Sequence, residues 1–273
     1  MDFEGKNIVI TGAGSGIGAS IARAAAAKGA KVIVSDINLD AAKTVAAEIG
    51  GAANACDVAD EKQIKELVAF AENTNGPVDL FCSNAGLAFG EESHAASASN
   101  RVWETCWQVH VMAHVYASRA VLPSMIERRQ GYLVNVASAA GLLNQIGDAA
   151  YSTTKHAAVG LAESLAITHG ADNIKVSVVC PQYVATPLLG YEERGAANEA
   201  AGIISAEQVA DTVIAGIEQE KFLILTHPEV HEFMQHRAAD TDRWITGMQR
   251  LRDKIIAAAG STRLEDMHKM FKR

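Results

Sequence analysis

Short apolar runs alternate with longer amphipathic stretches along most of the chain. The runs that predict strands are residues 7–11, 31–35, 52–57, 78–82, 131–136, 174–179 and 222–226. Between them, stretches such as 19–28, 39–49 and 61–73 repeat apolar residues at helical spacing. Strands that are apolar throughout are typical of a parallel sheet covered on both faces. The pattern therefore predicts an α/β fold, a doubly wound Rossmann-type domain with a seven-stranded, mostly parallel sheet and helices on both faces.

Two segments lie outside this alternation. Residues 187–204 follow a proline-bearing strand end and have weak periodicity, which predicts a loop that covers a substrate. Residues 228–273 predict a helical extension, helical to about residue 259 and highly charged at the end. Since no linker-like composition and no repeat interrupts the pattern, we predict a single domain over residues 1–273.

Composition and charge narrow the function classes. Hydrophobic residues make up 49% of the 273 positions and charged residues 21%, as in a globular protein with an ample core. The net charge of -8 argues against a nucleic-acid partner, which needs clustered Lys and Arg. No signal peptide or membrane span is recognisable, so we expect no membrane partner. The cysteines are isolated and predict reduced core thiols in a cytoplasmic protein; they are Cys56, Cys82, Cys106 and Cys180.

The first predicted strand runs directly into the glycine-rich turn TGAGSGIG at residues 11–18, and a helical stretch follows. At Gly12, Gly16 and Gly18 the absence of side chains would let the backbone approach a pyrophosphate, which the free N–H groups of a helix start also favour. The alternative is an ordinary tight strand-to-helix connection. The position of the turn, after the first strand and before a helix, favours dinucleotide binding.

An acidic residue at the end of the second strand supports the same interpretation. Asp36 lies 18 positions beyond Gly18, close to the spacing expected for a carboxylate that accepts hydrogen bonds from ribose hydroxyls. A carboxylate there repels a 2'-phosphate, and neither Ser15 nor Ile37 supplies a cation. We therefore expect NAD rather than NADP as the cofactor.

Three residues in the second half of the chain form a candidate proton-transfer group. Tyrosine has an ordinary pKa of about 10, too high for a general base near neutrality, so it needs a neighbouring cation. Lys155 follows Tyr151 by one helical turn and can supply that charge. Ser138 follows a central strand and would present its hydroxyl to the crevice where open α/β sheets bind ligands. The alternatives are a polar helix face for Tyr151 and Lys155 and a turn for Ser138.

These motifs resemble those of the short-chain dehydrogenase/reductase (SDR) family. The matching elements, in family order, are TGAGSGIG at 11–18, Asp57-Val58, Asn84-Ala85-Gly86, Ser138, YSTTK at 151–155, and Pro181 with Thr186. The resemblance implies that Tyr151 is the general acid/base, that Lys155 lowers the tyrosine pKa and holds the nicotinamide ribose, and that Ser138 binds the reacting oxygen. By the same resemblance the cofactor contacts are Gly12, Ser15, Gly16, Ile17, Gly18, Asp36, Asp57, Val58, Asn84, Gly86, Tyr151, Lys155, Pro181, Val184 and Thr186.

Two positions depart from the family pattern. His110 stands where the family usually has an asparagine that helps to seat a proton-relay water. An imidazole can also bind a water, and it titrates near neutral pH, so we expect an altered relay with His110 as a further catalytic candidate. Gln182 stands where a glycine is common. His110 and His114 have no third ligand nearby, and no metal site is predicted.

The substrate prediction rests on apolar residues expected around the open side of the crevice. They are Leu142, Leu143, Ile146, Tyr183, Leu188 and Leu189. Such a pocket favours a hydrophobic or aromatic secondary alcohol or its ketone. We therefore predict an NAD-dependent oxidoreductase that interconverts a secondary alcohol and a ketone. The alternative is a catalytically impaired dinucleotide-sensing protein of the same fold, which would have no need for Ser138, Tyr151 and Lys155 together.

The resemblance also implies a homotetramer or a homodimer. In the family, the helices that correspond to residues 103–126 and 152–168 form the subunit interface, and here they carry apolar residues on more than one face. The alternative is a deep core within a single subunit.

Overall fold

The computed structural model describes residues 1–91, 93–193, 195–198, 202–263 and 266–267. Its strands are β1 Asn7–Thr11, β2 Lys31–Asp36, β3 Ala52–Ala55, β4 Leu80–Ser83, β5 Gly131–Val136, β6 Ile174–Val179, β7 Val184–Ala185, β8 Ile204–Ser205 and β9 Leu223–Ile224. A seven-stranded sheet has the order β3-β2-β1-β4-β5-β6-β9, and every pairing in it is parallel. Strands β7 and β8 form a separate pair. The predicted doubly wound α/β fold is confirmed.

Helices follow most of the strands. They are α1 Gly16–Ala27, α2 Leu39–Ile49, α3 Glu61–Asn75, α4 Asn100–Trp107, α5 Ala113–Arg128, α6 Ala149–His169, α7 Ala206–Glu218, α8 Glu229–Ala239 and α9 Thr241–Ala259. A π-helical turn, Gln108–Met112, joins α4 to α5. Side chains of Asn38, Asp60 and Ser205 accept hydrogen bonds from the first turns of α2, α3 and α7. These caps fix where the helices begin.

Both faces of the sheet are buried. Along β1, Ile8 and Ile10 lie in one hydrophobic cluster and Val9 lies in the other, because successive side chains of a strand point to opposite faces. Helices α1, α2 and α7 contribute to the first cluster, and α3, α5 and α6 contribute to the second. The strand order reverses direction between β1 and β4, which opens a crevice at the carboxyl ends of these strands.

The two segments outside the alternation have structure of their own. The predicted covering loop, 187–204, contains the 3-10 turn Pro187–Leu189 and a bridge between Asn198 and Ile203. Its residues 194 and 199–201 lie outside the described residues. The C-terminal extension contains two helices, α8 and α9, because the extended backbone of Asp240 interrupts the helix and its side chain caps the second one. The division of the chain into domains stays a prediction.

The cysteines are all buried and free of disulfide bonds. In the described part of the chain, no three His, Cys, Asp or Glu side chains lie close enough together to hold a metal ion. Among the helices that the structure describes, none is long and apolar enough to cross a membrane.

Candidate active site

A cavity of about 550 Å³ lies at the carboxyl ends of the central strands. It brings together residues that are far apart in the sequence. The predicted cofactor residues that line it are Gly12, Ser15, Gly16, Ile17, Asp36, Asp57, Val58, Asn84, Gly86, Tyr151, Lys155, Pro181, Val184 and Thr186. Ser138 lines it as well, whereas Gly18 lies beneath the turn and does not.

The glycine-rich turn has a conformation that its glycines permit. Gly12 and Gly16 have φ of 62° and 53°, in the left-handed region that favours glycine. A Cβ at Gly12 would come within 2.7 Å of the Cα of Ala85, and one at Gly18 would overlap the side-chain nitrogen of Asn84. No side chain caps the start of α1, so its first N–H groups face the cavity with the positive end of the helix dipole. This cradle fits a pyrophosphate.

Asp36 is held rigidly at the end of β2. Its Oδ2 accepts a hydrogen bond from the N–H of Gly14 at 2.9 Å, and its Oδ1 accepts one from the N–H of Asn38 at 2.9 Å. Each carboxylate oxygen retains a second acceptor site, which is available to a ribose hydroxyl. The residues present therefore fit a dinucleotide with a free adenosine ribose.

Asn84 connects the end of β4 to the glycine-rich turn. Its Nδ2 donates to the backbone oxygens of Thr11 and Gly12 at 2.9 and 3.1 Å. The Thr11 hydroxyl in turn accepts a hydrogen bond from the N–H of Asn84 at 3.1 Å. Asn84, which the family resemblance assigns to the cofactor, lines the cavity, and its amide also positions the turn.

The three catalytic candidates meet at the opposite end of the cavity from Asp36. The Nζ of Lys155 lies 5.5 Å from the centre of the Tyr151 ring and donates to the backbone oxygen of Val136 at 3.1 Å. The Ser138 side chain forms a hydrogen bond that favours the ionised form of Tyr151. Ser138 Oγ also accepts from the N–H of Ala140 at 3.1 Å, which fixes its position. A carbonyl oxygen in this space would find two hydroxyl groups.

Burial dominates the ionisation of this group. It raises the pKa of Tyr151 to about 12, with the hydrogen bond from Ser138 as the main opposing effect. It also lowers the pKa of Lys155 to about 8, because a buried ammonium loses its hydration. The lysine was expected to lower the tyrosine pKa. In the protein alone it does not offset the burial, and Tyr151 is a protonated phenol at neutral pH.

His110 is packed into the protein and does not line the cavity. Its Nε2 accepts a hydrogen bond from the N–H of Leu87 at 3.2 Å, so the proton of the neutral ring lies on Nδ1. Nδ1 lies 2.9 Å from Oγ1 of Thr154, which itself donates to the backbone oxygen of Ala150 at 2.8 Å. The rings of His110 and Tyr151 pack in a T-shaped arrangement, with centroids 5.3 Å apart. His110 therefore joins the segment after β4 to the catalytic helix.

This environment changes the interpretation of His110. Burial, then the nearby charge of Lys155, lowers its pKa well below the ordinary value. Both ring nitrogens have protein partners, which leaves neither of them to seat a water. Burial between two protein segments thus disfavours the charged ring, and the hydrogen bonds of the two nitrogens leave no place for the expected water contact.

Asp148 is a site residue that the motif analysis missed. It is buried, lines the cavity and caps α6 by accepting from the N–H of Tyr151 at 3.0 Å. Its other oxygen accepts from the N–H groups of Phe89 and Gly90 at 3.3 and 2.8 Å. The signal was present in the sequence, since Asp is a preferred N-cap residue and Asp148 precedes the helix by one position.

The predicted substrate residues divide into two groups. Tyr183, Leu188 and Leu189 line the cavity. Leu142 and Leu143 instead pack with Val230 and Trp244, among other residues of the C-terminal helices. Ile146 does not line the cavity either. The expected wall of the pocket is thus wrong for these three positions. For Leu142 and Leu143 the reason is that residues of α8 and α9 pack against them.

Comparison with known proteins agrees with the fold. Residues 6–196 match the family model of the short chain dehydrogenase. The chain is 38% identical over 197 residues to cyclohexanol dehydrogenase of Acinetobacter sp., covering 70% of this chain and 78% of that protein. It is 32% identical over 258 residues to oxidoreductase UcpA of Salmonella typhimurium, covering 92% and 94%.

A solved structure is similar over nearly the whole chain. It is a short chain dehydrogenase/reductase from Burkholderia phymatum in complex with NAD, with a TM-score of 0.79 and 28% identity, covering 89% of this chain and 96% of that one. The family match over residues 6–196 and this structural similarity together identify the family of the chain. The chain belongs to the short-chain dehydrogenase/reductase family of oxidoreductases.

Proposed function

We propose that the protein is an NAD-dependent oxidoreductase that interconverts a hydrophobic or aromatic secondary alcohol and its ketone. The observation that carries the proposal is the convergence of Ser138, Tyr151 and Lys155 at one end of a cavity whose other end holds Asp36. A bound nicotinamide would supply the hydride acceptor or donor. The NAD complex of the Burkholderia relative supports the choice of cofactor.

In the direction of ketone reduction, each side chain has a distinct task. The hydroxyls of Tyr151 and Ser138 donate hydrogen bonds to the carbonyl oxygen and orient it. As negative charge develops on that oxygen, the phenol of Tyr151 transfers its proton to it. Because the pKa of Tyr151 is raised, the phenol stays protonated until negative charge develops on the carbonyl oxygen. The Lys155 ammonium, held by Val136, stabilises the tyrosinate that remains.

The lining of the cavity supports an uncharged substrate. Among the described residues that line it, Lys155 is the only cation, and it belongs to the catalytic group. Leu87, Leu188 and Leu189 contribute apolar surface. The name of the Acinetobacter relative, cyclohexanol dehydrogenase, supports an alicyclic alcohol as the first substrate to test.

The proposal is tested with a panel of alicyclic, aryl and polyol substrates, each with NAD and with NADP, followed by absorbance at 340 nm. We expect turnover of alicyclic or aryl alcohols with NAD, and a loss of about two or more orders of magnitude in kcat for Tyr151→Phe. Turnover of polyols alone would refute the substrate class. Full activity of Tyr151→Phe would refute the mechanism, and tight NAD binding without turnover of any substrate would favour a dinucleotide sensor.

We also propose that the protein forms a homotetramer or a homodimer through α4, α5 and α6. Of the apolar residues on these helices and on the π-helical turn between α4 and α5, Val111, Ala158 and Leu165 are buried within the subunit. Trp107 and Ile167 are 44% and 83% exposed, which leaves apolar surface for a second copy. Light scattering coupled to gel filtration distinguishes the states, and a monomer at micromolar concentration would refute the proposal. A cytoplasmic location stays a prediction from the cysteines.

A further inference from the structure

The segment that follows α9 returns to the active site. Ser261 Oγ donates to Oδ2 of Asp266 at 2.7 Å, and the N–H groups of Asp266 and Met267 both donate to the backbone oxygen of Arg263 at 3.0 Å. These bonds hold Asp266 and Met267 close to Arg263. That side chain is only 5% exposed and lines the cavity. The cavity wall therefore includes a residue far outside the 6–196 region that defines the family.

The proximity of Met267 to Gly147 shows at which end of the cavity Met267 lies. A Cβ at Gly147 would overlap the backbone oxygen of Thr262 and would lie 3.3 Å from the Cε of Met267. Gly147 has φ of 84°, and its own oxygen accepts a hydrogen bond from the N–H of Glu91 at 2.9 Å. The next residue, Asp148, caps the helix that carries Tyr151. Met267 thus lies at the catalytic end of the cavity, far from the adenosine end at Asp36.

We propose that Met267 contacts the carbon skeleton of the substrate and limits the size of the ketone or alcohol that reaches Tyr151. This inference rests on the proposed function and specifies the substrate end of its site. A thioether side chain is apolar, flexible and polarisable, so it packs against irregular apolar ligands without demanding one shape. It offers no hydrogen-bond donor and no charge, which matches the apolar surface of Leu188 and Leu189.

The C-terminal segment replaces the wall that Leu142 and Leu143 were expected to provide. Those leucines pack against Val230 under the C-terminal helices, and the same part of the chain then continues to Met267. The C-terminal extension thus covers Leu142 and Leu143, which were expected in the cavity wall, and adds Met267 to that wall. Substrate size should therefore respond to substitutions at Met267 and not to substitutions on α9.

The test compares reduction of cyclohexanone and of the bulkier 4-phenylcyclohexanone with NADH. Met267→Ala enlarges this end of the cavity, and we expect the ratio of kcat/KM values, bulky over small, to rise roughly tenfold. Met267→Phe should lower the same ratio. Met248→Ala removes an equal side chain from the partly exposed surface of α9 and should leave the ratio within twofold of the wild type. Thermal unfolding verifies that each variant is folded.

A second measurement does not depend on turnover. Hydrogen peroxide converts accessible methionines to sulfoxides, which peptide mass spectrometry counts separately for Met267 and Met248. We expect 4-phenylcyclohexanol with NAD to slow the oxidation of Met267 at least threefold and to leave Met248 unchanged.

The two readouts separate the two proposals. Protection of Met267 without turnover of any ketone would overturn the proposed function and retain the contact. Turnover with an unchanged selectivity ratio in both Met267 variants would overturn the role of Met267 and retain the function. The absence of both effects would overturn both.

Discussion

Asp36 offers a test of cofactor choice that needs no knowledge of the substrate. Asp36→Asn keeps the shape of the side chain and removes its charge. One of its two terminal atoms becomes an NH2 group, which would face the N–H of Gly14 or of Asn38 rather than accept from it. At least one backbone donor and one ribose hydroxyl therefore lose their acceptor.

The magnitude follows from the charge of the acceptor. A hydrogen bond to a charged group contributes about 1.5–3 kcal/mol, so loss of one such bond to the ribose weakens NADH binding by roughly 10- to 150-fold. Repulsion between unit charges about 5 Å apart at an effective dielectric constant of about 20 is roughly 3 kcal/mol. The variant removes that repulsion for the 2'-phosphate of NADPH. We expect the ratio of the two affinities to move toward NADPH by at least about 100-fold.

The assay is titration of NADH and of NADPH, followed by nicotinamide fluorescence at constant ionic strength. Asp40→Asn is the matched control, because it makes the same charge change in the first turn of α2, and Asp40 does not line the cavity. The argument fails if the wild type binds NADPH as tightly as NADH. It fails equally if Asp36→Asn leaves the Kd for NADH unchanged.

Two buried histidines and the glycine-rich turn should each respond to substitution in a measurable way. His110→Asn should lower the free energy of unfolding by about 1–3 kcal/mol in urea titrations, since Leu87 loses its acceptor. Because burial holds the pKa of His110 well below its ordinary value, the same variant should leave the pH profile of kcat/KM between pH 6 and pH 9 unaltered, and a shifted profile would contradict this. Burial lowers the pKa of His114 to about 4. As the pH drops from about 6.5 toward about 4, this histidine binds a proton in the unfolded state but not in the native state, so the free energy of unfolding falls. Between pH 7 and pH 5 this histidine accounts for about 2 kcal/mol, and His114→Leu should flatten that part of the pH dependence of unfolding. Gly18→Ala should abolish NADH binding and lower the Tm, because a Cβ there would overlap neighbouring atoms. Gly247 lies in α9 with open space around it, so Gly247→Ala should leave NADH binding unchanged and should not lower the Tm. Equal behaviour of the two variants would contradict the packing argument.

Those parts of the fold that local patterns encode could be predicted from the sequence. Strands β1, β5 and β6 have the predicted bounds, because a strand buried on both faces is a short run in which apolar, β-branched residues predominate. The glycine-rich turn and the Ser138, Tyr151 and Lys155 group were found because their chemistry demands particular residues at fixed spacings. Gly12, Gly16 and the three catalytic candidates line the cavity.

What the sequence could not give depends on contacts between distant segments. Leu142 and Leu143 are equally apolar whether they face a substrate or pack against Val230, so their composition carries no signal for either. The π-helical turn that holds His110 has no local sequence signature, and the two neighbours that fix its protonation, Leu87 and Thr154, come from separate elements. The break between α8 and α9 did have a signal, the capping residue Asp240.

Alkylation of the buried cysteines can be used to measure opening of the folded chain. Burial raises the pKa of Cys82 and of Cys180 to about 12 and that of Cys106 to about 11, so almost no reactive thiolate exists in the native state at neutral pH. Alkylation therefore proceeds through molecules that have opened, and its rate measures the population of open states. Cys56 alone among these thiols borders the cavity, on its adenosine side. Burial raises the pKa of Cys56 to about 12 as well, so labelling resolved by site would report opening at all four positions, with Cys56 reporting it beside the adenosine pocket.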